Sequence, residues 1–274
     1  MEEQPLAILG RWHPVQSVLA AIFLCGLVAI VPHLAQTQGQ TEVAPASEQT
    51  LQPLPLAGVV SSTNNPLQVA ILRWYPANLT TSFSFSVGSH PGNVAFDGAS
   101  IWITNQGSNT VTKLRGSDGS TLGTFAVGNG PVGAAFDGAN IWVTNIDSNN
   151  VTKLRARDGT TLGTFAVGSL PFGVAFDGAN IWVANQGSNN VTKLQASDGT
   201  LLGTFAVGTN PFGVAFDGAN IWVANHGSAN VTKLKATNGS TIGTFAVGSC
   251  PYYLAFDGAH IWVADECSNT LSKM

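Results

Sequence analysis

Residues 171–210, PFGVAFDGANIWVANQGSNNVTKLQASDGTLLGTFAVGTN, and residues 211–250, PFGVAFDGANIWVANHGSANVTKLKATNGSTIGTFAVGSC, are two nearly identical segments. The triplet Phe-Asp-Gly within them recurs along the chain and begins at positions 96, 136, 176, 216 and 256. A fixed period of this size is typical of solenoids, propellers and other repeat architectures. The strand and turn signals inside one period decide among them.

The pattern within residues 171–210 predicts four strands, which we call A to D. They are Phe172–Asp177, Ile181–Asn185, Val191–Leu194 and Leu202–Val207. Asp-Gly pairs between A and B and between C and D are hairpin signals. Helical repeats would instead need apolar spacings of 3 or 4 over about ten residues, and no such spacing occurs. The sequence therefore predicts an all-β chain of four-stranded antiparallel blades with a 40-residue repeat, the β-propeller architecture.

The two ends of the repeat region predict how a ring closes. Thr81–Gly88 aligns with the strand D segment Thr121–Gly128, and Val69–Tyr75 falls where strand C belongs. At the other end, Tyr252–Asp265 supplies strands A and B, and Thr270–Met274 supplies part of strand C. We therefore expect five blades, the last completed by the N-terminal segment. Both ends then supply a strand C, which leaves one strand surplus. The alternative therefore stays open that the chain is a shortened relative of a larger propeller and closes poorly or by pairing with another copy.

The repeat resembles a known family. Trp142-Val143-Thr144-Asn145 is close to the tetrapeptide that names the YVTN repeats, and Gly-x-x-Pro before strand A and Asp-Gly at both hairpins also match. The chain is thus similar to YVTN and NHL-like propeller repeats over residues 68–274. That resemblance implies the fold but no single function, because such repeats serve binding, surface and enzymatic roles alike.

Composition excludes one class of protein, and charge argues against another. Hydrophobic residues make up 44% of the chain, enough for a substantial core, so the chain as a whole is not disordered. The formal net charge of -4 argues against broad attraction to nucleic acid, which needs a basic surface.

The N-terminal region predicts export. The uncharged apolar run at residues 18–31 follows Arg11 and His13 and precedes a polar stretch. We expect residues 1–35 to be an apolar helix outside the propeller, either a cleaved signal peptide or a retained membrane anchor, and residues 36–67 to be a polar linker. A buried helix of the fold is the alternative. The propeller would then be secreted, periplasmic or anchored facing outward.

Functional candidates lie where the repeats differ. The loop before strand A and the loop after strand B should share one face of the ring, because A and B are antiparallel. The blades differ there at Gln106, Ile146, Gln186, His226 and Glu266. Candidate ligand-binding residues on this face are His90, Asp147, Phe172, Phe212, Tyr252, Tyr253 and Asp265.

The same two loops of the last blade contain Cys250 and Cys267. Disulfides persist outside the cytoplasm, so we predict that these cysteines are bonded. The chain-entropy model gives such a short loop a stabilisation of about 3 kcal/mol. The bond would fasten the last blade, and two unpaired thiols are the alternative.

The leading functional hypothesis is a non-catalytic scaffold that binds a protein, a glycan or a small ligand and needs no cofactor. His226 and Glu266, an imidazole and a carboxylate in neighbouring blades, suggest the alternative. They resemble a site in virginiamycin B lyases, which implies Mg²⁺-assisted elimination with these two residues as candidate base and metal ligand. A gluconolactonase-like hydrolase is a related possibility. The further histidine and acidic residue that such a site needs have no match in this sequence. A third hypothesis is that the repeats were duplicated recently and have no settled function.

Overall fold

The computed structural model describes residues 84–274, which form five antiparallel sheets, four with four strands and one with three. The predicted N-terminal helix, the linker and the segment 69–83 lie outside the described residues. No helix in the described part of the chain has the length and apolar character needed to cross a membrane.

Each sheet is one blade, with its strands in chain order. Blade 1 contains β1 (Pro91–Phe96), β2 (Ser100–Asn105), β3 (Thr110–Arg115) and β4 (Thr121–Ala126). Blade 2 contains β5 (Pro131–Phe136), β6 (Asn140–Asn145), β7 (Asn150–Arg155) and β8 (Thr161–Ala166). Blade 3 contains β9 (Pro171–Phe176), β10 (Asn180–Asn185), β11 (Asn190–Gln195) and β12 (Leu201–Ala206). Blade 4 contains β13 (Pro211–Phe216), β14 (Asn220–Asn225), β15 (Asn230–Lys235) and β16 (Thr241–Ala246). Blade 5 contains β17 (Pro251–Phe256), β18 (Ile261–Asp265) and β19 (Thr270–Lys273).

The predicted all-β fold with four-stranded antiparallel blades is confirmed. The four strands predicted for residues 171–210 match β9 to β12 within about one residue at each end. The chain therefore has a β-propeller fold, in which the innermost strands β1, β5, β9, β13 and β17 line a central channel.

In each blade, an Asp in the hairpin between strands A and B accepts a hydrogen bond from the Trp of strand B, and we call this pair the Asp–Trp lock. In blade 3, Asp177 Oδ1 accepts hydrogen bonds from the backbone N–H groups of Ala179 and Asn180, at 2.9 and 2.6 Å. Asp177 Oδ2 accepts a bond from Trp182 Nε1 at 2.7 Å, although the tryptophan is fully buried. One carboxylate thus closes the turn and pairs the indole N–H, which explains why Asp and Trp recur together.

The hydrophobic core lies between blades. Each blade presents a tryptophan face and, on its other side, an isoleucine face. Between blades 3 and 4, the tryptophan face contributes Trp182, Ala184 and Val191, and the isoleucine face contributes Ile221, Val223, Leu234 and Ala236. The first three blade junctions repeat this arrangement, so every period needs the same apolar residues.

A lysine crosses each of the first three junctions. Lys193 in blade 3 is 5% exposed, and its Nζ donates to the carbonyl oxygens of Ala236 and Thr237 in blade 4, at 2.7 and 3.1 Å. The ammonium also lies 5.0 Å from the Trp182 ring centroid, a cation–π distance. The three junction lysines, Lys113, Lys153 and Lys193, are therefore structural and not a basic binding surface.

The predicted composite blade is not formed by the described residues. Ser84–Gly88 form no strand, and β19 pairs only with β18 among the described strands. Phe85 lies over Gly119 in blade 1, as Phe125 lies over Gly159 in blade 2, so this segment is held by blade 1. Innermost strands of successive blades pack together, whereas β1 and β17 share no such interface. Residues 84–88 thus lie against blade 1 as strand D of a preceding blade would, and the described residues show no pairing between them and β19.

In the described part of the chain, the outward faces of the two terminal blades are exposed. On the isoleucine face of blade 1, Val94 and Phe96 are 53% and 57% exposed. On the tryptophan face of blade 5, Leu271 is 60% exposed, although its equivalent Val231 in blade 4 is fully buried. The described arc is open between blades 5 and 1.

The acid stability of the fold should follow the Asp–Trp locks. Burial raises the pKa of Asp177, but hydrogen bonds from Trp182 and the turn outweigh it and leave this pKa below its ordinary value. A carboxyl whose folded pKa is depressed stabilises the fold above its unfolded pKa of about 3.9, and this contribution disappears as pH falls through the folded pKa. We expect Asp177→Asn to cost about 1–3 kcal/mol at pH 7, because an amide offers only one acceptor oxygen, and less below pH 3.

Asp257→Asn is the matched variant, because Asp257 and Trp262 form the same lock in the more exposed last blade. Its cost should be smaller, since an unpaired Trp262 indole can bond to water. Equilibrium urea unfolding at several pH values measures both. A cost for Asp177→Asn that does not change with pH would contradict this account.

Comparing the stability lost on substitution of Lys193 and of Lys273 tests whether the arc is open in solution. Lys193→Met keeps the apolar stem but leaves two carbonyl oxygens without their donor, so we expect a loss of about 1–3 kcal/mol. Lys273 lies 5.0 Å from the Trp262 ring but is exposed and has no following blade in the described arc. Lys273→Met should therefore cost less than about 0.5 kcal/mol, as is usual for exposed positions. Equal costs in thermal or urea unfolding would mean that the ring is closed.

Candidate functional site at the loop-bearing face

The loop before strand A and the loop after strand B are joined by backbone hydrogen bonds in every blade. In blade 4, the N–H groups of His226 and Gly227 donate to the carbonyl oxygens of Asn210 and Thr209, both at 3.0 Å. The residue before strand A has a positive φ in each blade, as at Asn210 with 49°. This turn places both loops on one face of the propeller, which we call the loop-bearing face.

Aromatic side chains gather at the channel mouth on this face. Phe172, Phe212 and Tyr252 each occupy the second position of strand A in blades 3, 4 and 5. The Phe172–Phe212 and Phe212–Tyr252 centroids are 4.7 and 4.6 Å apart. Tyr253, 52% exposed, stacks edge-on against Tyr252 at 4.6 Å. Four predicted candidates thus form one cluster, which we call the aromatic cluster.

The innermost strands approach each other closely beside the cluster. A Cβ at Gly173 would collide with the carbonyl oxygen of Phe212, so glycine is needed for this packing. The channel contains a cavity of about 170 Å³. Its lining includes Asn93, Val132, Phe172, Val214 and Tyr253, one from each blade.

His226 contacts both the aromatic cluster and the last blade. Its ring centroid lies 5.0 Å from that of Phe212 and 6.2 Å from that of Tyr252. Its ring nitrogens and the sulfurs of Cys250 and Cys267 all lie within 4.8 Å of one another. The two sulfurs form a disulfide with an S–S distance of 2.03 Å. The sequence indicated that these loops are neighbours but not that the imidazole adjoins the sulfurs.

Glu266 acts on the cluster electrostatically. Burial raises the pKa of Tyr252 well above its ordinary value of 10.0, and the nearby Tyr253 and the negative charge of Glu266 raise it further. A hydrogen bond with Tyr253 is a further cause, and the Tyr252 hydroxyl therefore stays protonated at neutral pH. Glu266 itself is exposed.

Magnesium requires several oxygen ligands, usually carboxylates, carbonyls and waters. Among the described residues, one group of His, Cys, Asp or Glu side chains is close enough together to surround an ion. It consists of His226, Cys250 and Cys267. Glu266 is not a member of this group. These donors do not fit a magnesium centre, and we derive no reaction step through that ion.

The remaining candidates lie apart from the aromatic cluster. His90 and Asp147 are exposed in the loops of blades 1 and 2, and His90 Nδ1 pairs with Ser89 Oγ at 3.0 Å. Asp265 is only 2% exposed and accepts hydrogen bonds from Ser272 Oγ at 2.6 Å and Thr270 Oγ1 at 3.3 Å. It takes the place of the buried Asn225 of blade 4. This interior placement favours a role in holding blade 5 together over the predicted ligand contact.

Comparison with known proteins gives similarity at the level of the fold. No protein-family profile matches the chain, and no curated protein matches it. A functionally unknown protein from Desulfotomaculum acetoxidans DSM 771 superposes with a TM-score of 0.59 at 17% identity, covering 69% of this chain and 70% of that one. A streptogramin B lyase structure superposes with a TM-score of 0.55 at 18% identity, covering 71% and 72%. The chain shares the propeller fold of these structures.

Proposed function

We propose that this protein is an extracytoplasmic binding scaffold whose ligand occupies the channel mouth at the aromatic cluster. One observation carries the proposal. The second position of strand A is aromatic in blades 3 to 5, as Phe172, Phe212 and Tyr252, but is Gly92 in blade 1 and Val132 in blade 2. The blade forms without a ring at this position, so the scaffold itself does not require the cluster.

The chemistry of the cluster favours a ligand with a planar ring. Aromatic rings interact edge-to-face and by offset stacking, and half of Tyr253 is available to a ligand. His226, whose ring centroid lies 5.0 Å from that of Phe212, supplies ring nitrogens beside the cluster. The 170 Å³ cavity is smaller than the roughly 300–1,000 Å³ typical of sites for drug-sized ligands. The ligand is therefore a single-ring compound, or one ring of a larger glycan or protein side chain.

Saturation-transfer NMR with phenol, indole and a methyl glucoside tests this function. We expect at least one of these probes to bind the full-length protein, and Phe172→Val or Tyr252→Val to raise its Kd at least tenfold. Valine is chosen because blade 2 carries it at this position, so the variants should fold.

Leu202→Ala is the control, since Leu202 is 46% exposed on the outermost strand of blade 3, away from the channel. Its Kd should equal that of the wild-type protein. The scaffold function at this site would be abandoned if none of the probes bound at millimolar concentration, or if Phe172→Val and Leu202→Ala bound alike.

An enzymatic function is the second candidate. Its support is the position of His226 against the Tyr252 ring, together with the charge of Glu266 acting on the same tyrosine. An imidazole and a carboxylate beside a protonated phenol could divide general acid and base work in lactone opening or elimination. The propeller fold of a streptogramin B lyase is compatible with such chemistry but does not assign it.

Turnover of a lactone or cyclic depsipeptide, with and without added Mg²⁺, tests the second candidate. The candidate requires hydrolysis or elimination that Glu266→Gln lowers at least a hundredfold, within the usual 10²–10⁴-fold contribution of a general acid or base. Gln186→Ala, at the same loop position in blade 3, should leave turnover unchanged. Equal activity of the wild-type protein and Glu266→Gln would remove Glu266 from any catalytic role.

A further inference from the structure

The feature that neither function uses is the meeting of one imidazole with two sulfurs. The ring nitrogens of His226 and the Sγ atoms of Cys250 and Cys267 lie within 4.8 Å of one another. In the structure the sulfurs are bonded to each other, and it is the thiolate that ligates metals. The group therefore has its full set of metal-binding atoms only after the disulfide is reduced.

The positions of the two cysteines do not depend on their covalent bond. The N–H groups of Glu266 and Cys267 donate to the carbonyl oxygens of Cys250 and Ser249, at 3.1 and 3.2 Å. Blade 3 forms the same pair of bonds, from Gln186 and Gly187 to the carbonyl oxygens preceding strand A, without any cysteine. Reduction should therefore leave the two thiols facing each other across the same pair of loops.

The imidazole is likewise held independently of the sulfurs. The His226 backbone N–H is bonded to the Asn210 carbonyl oxygen at 3.0 Å, and the ring packs on Phe212. His226 and Cys250 are half-buried, whereas Cys267 is exposed, so a reductant in solution reaches the disulfide from the Cys267 side. The site is thus both preorganised and accessible.

We propose that reduced Cys250 and Cys267, together with His226, bind a divalent cation of the zinc class. Zn–S distances of about 2.3 Å and Zn–N distances of about 2.0–2.1 Å place tetrahedral ligand atoms roughly 3.5–3.8 Å apart, within the observed limit. Two thiolates and an imidazole are donors that suit zinc, whereas hard cations such as Mg²⁺ take oxygen. Three protein ligands leave the fourth position open to water or to a ligand.

The redox step balances with an external reductant. A dithiol of the thioredoxin class, or a phosphine in the test tube, delivers two electrons that break the S–S bond, and two protons complete the thiols. The dithiol becomes a disulfide, or the phosphine becomes a phosphine oxide with oxygen from water. The cation then displaces the two thiol protons, so binding releases protons. An external disulfide accepts two electrons and two protons to become a dithiol, which re-forms the protein S–S bond and expels the ion.

Cobalt(II) is the probe, because its thiolate complexes absorb in the near ultraviolet and its tetrahedral complexes absorb in the visible. The experiment uses full-length Cys25→Ser protein, which removes the only other cysteine. We expect the phosphine-reduced protein to develop both absorption bands with one equivalent of Co²⁺ and to lose them when Zn²⁺ is added. The oxidised protein should develop neither.

Two variants separate the proposed site from adventitious thiol binding. His226→Ala should weaken Co²⁺ binding at least tenfold, and Cys250→Ser should abolish the thiolate band. His90→Ala, a histidine in a blade 1 loop, should bind as the parent protein does. Circular dichroism of each reduced sample checks that the propeller remains folded. A higher melting temperature of the reduced protein in the presence of the metal is further support.

The proposal is overturned if the folded, reduced protein shows no thiolate-to-cobalt band at millimolar Co²⁺, or if His226→Ala binds as tightly as its parent. Neither result depends on whether the aromatic cluster binds a ring. The inference therefore stands or falls separately from the proposed function.

Discussion

The burial of one tryptophan face against one isoleucine face is the interaction on which the rest of this molecule depends. A four-stranded blade exposes an apolar surface on both sides and cannot bury either alone. Stacking Trp182, Ala184 and Val191 on the isoleucine face of the next blade solves this problem once per repeat. Every period must therefore carry matching residues on both sides. The near-identity of successive 40-residue segments satisfies that requirement.

The polar residues of the repeat serve the same packing. A fully buried indole N–H needs a partner, and the Asp–Trp lock supplies one while closing the adjacent turn. The lysine that crosses a junction satisfies backbone carbonyl oxygens of the next blade, with its ammonium near a tryptophan ring. Residues that look like a ring of charges in the sequence are therefore parts of the interface. Specialised chemistry is left to the positions where blades differ.

Those differences are concentrated on one side of the loop-bearing face. Blades 1 and 2 present glycine and valine where blades 3 to 5 present the aromatic cluster, and His226 and the disulfide lie beside that cluster. The channel mouth is consequently asymmetric, although the scaffold around it is regular. Apolar rings with few hydrogen-bonding groups suit recognition of a ring-bearing ligand. Sulfur and imidazole together suit a soft cation, and a hard cation would need oxygen donors in their place.

The sequence by itself determined the blade. Phe-Asp-Gly every 40 residues, Asp-Gly at both hairpins and alternating apolar strands predicted β9 to β12 closely, because these signals are local and are repeated in each period. It also indicated that Phe172, Phe212, Tyr252 and His226 share a face, since register places equivalent positions of successive blades together. The tertiary structure alone decided the contacts between the ends and within the last blade. Within residues 84–274, β1 and β17 share no interface, Asp265 is buried among hydroxyls, and His226 adjoins the two sulfurs. These outcomes follow from the relative rotation of whole blades and from side-chain packing across loops distant in sequence, which no local pattern encodes.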